Sequence, residues 1–218
     1  ESSSGTLKLS DNLTFSSDSD LNFDQLNLNN HALTLGDNSS LQVTSSLTID
    51  DAEEWVITGD SNLTLLGLLT VTGGGVTSTG GTISLLGGGD LSGSGKLDLS
   101  DSTWVLSGEF KKSKDDSEES GTLTLSNTNL ELASDGTLTS DEALSFVVVS
   151  LNDHILTLGS EYSDLTVTGA ITIDSSAEGI STGKADLILL NALTMSDGLL
   201  DSTGGTIKFA HDQTSKFS

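Results

Sequence analysis

The sequence predicts an all-β chain wound as a parallel β-helix, a β-solenoid of about ten coils of roughly 21 residues with three short strands per coil. Three observations predict it. Apolar-polar-apolar triplets, the period-2 mark of a half-buried strand, recur at a steady step. A longer repeat of about 124 residues carries the same triplets forward. Pro is absent from all 218 residues, as stacked coils require, because most of their backbone N–H groups donate to a neighbouring coil and Pro has none to give.

Taken in chain order, Gly5-Thr-Leu-Lys-Leu-Ser10 opens as an ordinary coil, with Leu7 and Leu9 alternating, and Leu13 and Phe15 follow in the same rhythm. Triplets then begin at Leu21, Leu41, Leu63 and Ile83, and resume at Leu123, Leu144, Leu165, Leu187 and Ile207. Within each period a second triplet follows: Leu26-Asn-Leu28, Leu47-Thr-Ile49, Leu69-Thr-Val71, Ile171-Thr-Ile173, Leu193-Thr-Met195. A third, less regular one often completes the coil, such as Leu33-Thr-Leu35 or Leu156-Thr-Leu158. Gly, Asn, Asp and Ser separate the triplets, and these residues tolerate tight or left-handed turns. With coils stacked at about 4.8 Å, ten of them make a rod about 48 Å long. Inward Leu, Ile, Val and Phe fill it, and outward Thr, Ser and Asn line flat faces that β-branched Thr favours. No 3.6-residue stripe supports a helix. An antiparallel sandwich of short strands would not demand so constant a coil length.

The longer repeat aligns His31-Ala-Leu-Thr-Leu-Gly36 with His154-Ile-Leu-Thr-Leu-Gly159, and after a one-residue insertion Leu41 to Ile83 with Leu165 to Ile207. It holds 27 identities in 53 aligned positions, the mark of a duplication. The expected organisation is one solenoid domain, 1–218, built from two long repeats (about 5–110 and 121–218). The charged segment Lys111 to Ser120 joins them as a solvated loop, since its charges are not expected in the core. His31 and His154 then lie about six coils apart, too far to share a metal, and read as structural turn residues.

Composition narrows the function. Ser (36), Thr (27), Gly (24) and Leu (37) dominate, all eight basic residues are Lys, and the formal charge is -24. Phosphate-binding surfaces need clustered Lys and Arg, so nucleic acid is not an expected partner. Without Cys there is no disulfide framework and no thiolate site. The longest apolar run, Leu187 to Met195, is interrupted by Asn191 and is too short to cross a bilayer. The chain begins with Glu1 and shows no signal peptide, which reads as a mature or trimmed polypeptide.

Stretches such as Gly121-Thr-Leu-Thr-Leu-Ser-Asn127 and Leu63-Thr-Leu65 resemble the parallel β-helix repeats of bacterial surface proteins, the filamentous-haemagglutinin and autotransporter-passenger group. The resemblance covers nearly the whole chain. It implies a secreted or surface-held rod used for adhesion or assembly.

Catalysis is not expected. Polysaccharide-degrading hydrolases need two positioned carboxylates in a walled cleft, and no long loops are visible to build one. A cofactor is not expected either. The densest carboxylate cluster outside the loop, Asp50, Asp51, Glu53 and Glu54, offers calcium a weak site at most and reads as a plain acidic turn; no calcium-solenoid or EF-hand pattern is present. The ends carry the functional expectation. Neither looks like the polar cap a solenoid terminus normally needs, so Leu7, Leu9, Leu13 and Phe15 at one end, and Ile207, Phe209 and Phe217 at the other, are the candidate assembly residues. The expected partner is a second copy, added head-to-tail into a secreted or cell-surface filament. An adhesin passenger segment binding surface glycans or proteins is the alternative, and a β-helix hydrolase a remote one.

Overall fold

The computed structural model describes residues 5–113, 119, 121–159 and 163–210. Among them every regular element is a strand, and all strand pairings are parallel. The chain is a β-solenoid of about nine turns of roughly 21 residues. That is one turn fewer than the sequence arithmetic suggests. Thr103–Lys112 and Asn129–Thr139 each bend around a corner and serve two faces of the coil. The turn that links Trp104 to Leu130 takes up 26 residues, and the charged segment lies within it.

Each turn has three faces. On the first, Asp20–Phe23, Ser40–Val43, Asn62–Leu65 and Thr82–Leu85 stack in order, followed by the opening halves of the two long strands and by Val149–Ser150. The second carries Leu47–Ile49, Leu69–Val71 and Gly89–Leu91, the closing halves of the long strands, then Ile155–Leu158, Gly179–Ser181 and Leu199–Asp201. Below Leu47–Ile49, on the same face, lie Gln25–Asn27 and Thr6–Lys8. The third face is built in two runs. Leu13–Thr14 to Thr122–Thr124 form a six-stranded sheet, and Leu144–Phe146 to Ile207–Phe209 a four-stranded one.

Period-2 alternation delivers the core. Leu33, Leu41, Leu63, Leu65, Ile83, Leu106, Leu130, Leu156 and Leu187 are fully buried, while the residue between each inward pair, polar in most strands, faces outward. Midway along the rod the column widens into an aromatic cluster. Trp104 meets Phe110 edge-on at 4.8 Å between ring centroids, and Phe146 at 6.0 Å. Corners need close backbone approach: a Cβ on Gly81 would lie 1.9 Å from the Ser61 carbonyl oxygen, and one on Gly205 1.8 Å from that of Ala185.

Gly81 and Gly205 are equivalent in the long repeat, yet the repeat does not stack as the sequence suggests. Leu41 pairs through Leu63, Ile83, Trp104 and Leu130 to Val149, five turns along the first face. Its sequence counterpart Leu165 lies two faces further on, in the third-face strand Leu165–Val167. The second repeat is therefore set one face short of six turns from the first. The triplets at Leu21 to Ile83 and those at Leu123 to Ile207 occupy different faces, where the sequence reading placed them in one ladder.

Candidate functional site

The turns that position the faces are the same in both repeats. Asn29 and Asn30, and Asn152 and Asp153, adopt positive φ, and His31 N–H and His154 N–H donate back to Leu28 and Leu151 carbonyls. In the next coil Glu54 accepts Asn30 N–H on one carboxylate oxygen and Asp50 N–H on the other, both at 3.1 Å. Glu178 does the same for Asp153 N–H (3.3 Å) and Asp174 N–H (2.9 Å). Both histidines thus sit in structural turns, and His154 Nδ1 lies 3.8 Å from Asp135.

This geometry decides what the acidic cluster does. Glu54 has both oxygens on backbone donors, and Asp51 accepts Glu53 N–H and the Asn30 side-chain amide. Among the described residues no group of three or more His, Cys, Asp or Glu is placed to hold a metal ion. Asp50, Asp51, Glu53 and Glu54 form a hydrogen-bonded acidic turn. Asp50 and Glu54 line a shallow cavity of about 370 Å³, and Asp174 and Glu178 line its repeat counterpart of about 330 Å³.

A larger opening lies where the third face changes sheet. Thr122–Thr124 and Leu144–Phe146 follow one another on this face but are not hydrogen-bonded. Between them runs a cavity of about 470 Å³ over Leu123, Leu125, Leu144 and Phe146, with Glu142 at its edge. Leu123 and Leu125 are half-buried here, whereas Leu97 and Leu99 one coil below are fully buried. Sequence reasoning missed this seam.

The charged segment also differs from expectation. Lys111 and Lys112 belong to the strand Thr103–Lys112, so the loop starts later than Lys111; residues 114–118 and 120 lie outside the described part. Lys112 is 2 % exposed, and its ammonium meets Asp141 at 2.5 Å and Glu142 at 3.4 Å. A charge does enter the interior, because two carboxylates from the next coil partner it; an unpartnered one would be costly there. Period-2 continuation through Phe110 to Lys112 was the one available signal.

At the N-terminal end, Thr6–Lys8, Leu13–Thr14 and Asp20–Phe23 each pair, among the described residues, on one side only, with the next coil. Leu9 is buried, and Leu7, Leu13, Phe15, Leu21 and Phe23 are half-buried against the core. At the other end Leu199–Asp201 and Ile207–Phe209 likewise pair, among the described residues, only with the coil before them. Ile207 is half-buried, and Phe209 and Leu199 are exposed. Phe217 lies outside the described residues. The named apolar residues therefore form two separate clusters, roughly 43 Å apart for nine turns at the usual strand spacing. Lys208 bonds to Asp186 in the last turn. That ammonium, with Thr206 N–H, holds the Asp186 carboxyl below its ordinary pKa, and Asp186 in turn raises Lys208.

No family model, curated protein or solved structure matches this chain. The fold and the candidate site rest on the geometry above.

Proposed function

We propose that the chain is a non-catalytic, extracellular structural protein, a solenoid subunit that assembles head-to-tail into a surface filament. The observation that carries this reading is the one-sided strand pairing at the two ends of the described rod. Among the described residues, Thr6–Lys8 and Leu13–Thr14 at one end, and Leu199–Asp201 and Ile207–Phe209 at the other, have no strand partner on their outer edges, and half-buried apolar side chains such as Leu7, Leu13, Leu200 and Ile207 stand there. Such edges are templates for pairing with another chain. A contact between two different ends is heterologous and does not close on itself, so it builds an open fibre. The charge of -24 favours separate, soluble rods over lateral clumping.

Electron microscopy of the purified protein tests the proposal. Fibres one solenoid wide, lengthening with concentration, are the expected result. Discrete, monodisperse particles at high concentration would overturn it. The same one-sided pairing also favours a second reading, a segment of a longer adhesin whose further coils continue the rod and which binds surface glycans or proteins. A reading frame carrying more coils of this type would support that alternative.

A further inference from the structure

The rod's ends are matched on two of their three faces. Thr6–Lys8 stands at the start of the second face, and Leu199–Asp201 stands at its far end. Leu13–Thr14 and Ile207–Phe209 hold the same two positions on the third face. At both ends these strands follow one another directly in the chain. A second copy placed without rotation about the rod axis would therefore lay the second and third faces on the same faces of its neighbour, with all strands still parallel, while the first-face strands Leu193–Met195 and Asp20–Phe23 would stand two coils apart.

Side chains fix the register of that contact. Only inward-to-inward registers keep apolar groups out of water, since a one-residue slip turns every side chain to the opposite face. Leu7 is half-buried beneath its strand and Lys8 is exposed; Leu200 is half-buried and Asp201 follows it. Setting Leu7 on Leu200 places Lys8 beside Asp201, and neither has an ion pair among the described residues. A two-residue slip keeps the alternation but sets Leu7 over Ser202 and loses the charge match. On the third face the corresponding register sets Leu13 on Ile207 and Phe15 on Phe209, covering the exposed Phe209 ring with another aromatic.

We infer that copies join in register without rotation, Thr6–Lys8 of one on Leu199–Asp201 of the next, with Lys8 paired to Asp201 and the third face continuing through Leu13 and Ile207. The inference rests on the head-to-tail reading, to which it adds the partner surface. It contrasts with the relation between the two internal repeats, which are offset by one face.

Two cysteine pairs distinguish the outcomes, and the chain has no Cys of its own to confuse them. Directly opposite residues on neighbouring strands are about 4.8 Å apart, within the Cα range of about 4.4–6.8 Å that a disulfide spans. Lys8→Cys with Asp201→Cys should give a ladder of cross-linked oligomers under oxidation. Lys8→Cys with Lys208→Cys, the pair that a one-face rotation would bring together, should give none. A ladder from the second pair alone overturns the register and leaves head-to-tail assembly standing, as do fibres that neither pair cross-links. Absence of fibres from the parent chain, with no ladder from either pair, overturns the filament reading itself. Charge reversal supplies an independent check. Lys8→Asp should raise the critical concentration for fibre growth several-fold, and adding Asp201→Lys should bring it back. Equal growth of the single variant and the parent would overturn the ion contact. Circular dichroism of each variant identifies any that has failed to fold.

Discussion

The segment from Leu41 to Ile83 and the segment from Leu165 to Ile207 share about half of their residues and much of their local structure, but they do not occupy the same side of the rod. Leu63 faces inward from the first face and Leu187 from the third. Both are fully buried. The turns around them share the same bonds, down to a glutamate that receives two backbone N–H groups. The difference teaches that each corner is encoded by its own few residues, and that no face is chemically special. Which face a segment reaches depends on the chain consumed before it. Twenty-six residues carry Trp104 to Leu130, and only nineteen carry Leu130 to Val149. Those uneven turns move the second repeat round by one face.

The sharpest way to break this comparison is to cut matching cavities. Leu63→Ala and Leu187→Ala each remove a fully buried side chain from a column of other Leu residues. If the faces are interchangeable, each loses about 2–5 kcal/mol of stability, and the two losses are alike. Urea unfolding followed by circular dichroism measures both. A clearly smaller loss at Leu187 would show that the third face, interrupted by the seam, packs more loosely than the first.

The same comparison explains what was legible in the sequence. Triplets at Leu41, Leu63, Leu165 and Leu187 are strands, and the Asn, Asp and Gly positions between them are corners. Alternation alone suffices to find such elements. The face was not legible, because three similar strands per turn look alike to any count of period. The count also slipped at one identifiable place. Ile83 pairs with Trp104, but Trp104-Val105-Leu106 has an apolar outward residue, so it does not show the triplet pattern. The next visible triplet, at Leu123, belongs to another face. Lys112 was hidden for a different reason. A lysine in a charge run signals solvent, and only the fold brings Asp141 and Glu142 to its ammonium. Of the candidate assembly residues, the apolar positions could be read directly, but the one-sided pairing of their strands among the described residues required the pairing pattern.

A smaller effect separates the two repeats by burial. Glu54 is 6 % exposed, whereas Glu178 is only half-buried, because it lies nearer the end of the rod. Glu54→Gln keeps one oxygen for a backbone donor but turns an amide N–H₂ toward the other. The expected loss is about 1–3 kcal/mol, the cost of leaving a buried donor unsatisfied. Glu178→Gln should lose less, since water reaches its site. Thermal unfolding of the two variants side by side checks the order, and a larger loss at Glu178 would contradict the burial argument.

The smallest expected difference is in pH response, and it comes from one exchanged residue. In the first repeat Asn62 accepts Thr82 N–H at 2.9 Å; in the second, Asp186 occupies that position and accepts Thr206 N–H at 2.8 Å. The amide of Asn62 does not titrate, so the first clamp is indifferent to pH. Asp186 does titrate, and the Lys208 ammonium lowers its pKa. A carboxyl whose folded pKa is depressed contributes stability that is complete above its unfolded pKa and is lost as pH falls through the folded value. Lys208 has the opposite sign. Its raised pKa makes its contribution complete below the ordinary lysine range and lost as pH rises through the folded value. The last turn should thus be firmest between the two ranges. Both groups are solvent-accessible, so salt screens the pair and the effect is slight. Comparing the parent with Asp186→Asn isolates it. Their thermal midpoints should differ slightly at neutral pH, converge as pH drops below the carboxylate range, and draw closer in high salt. A gap that persists in acid would assign the role of Asp186 to its shape, not its charge.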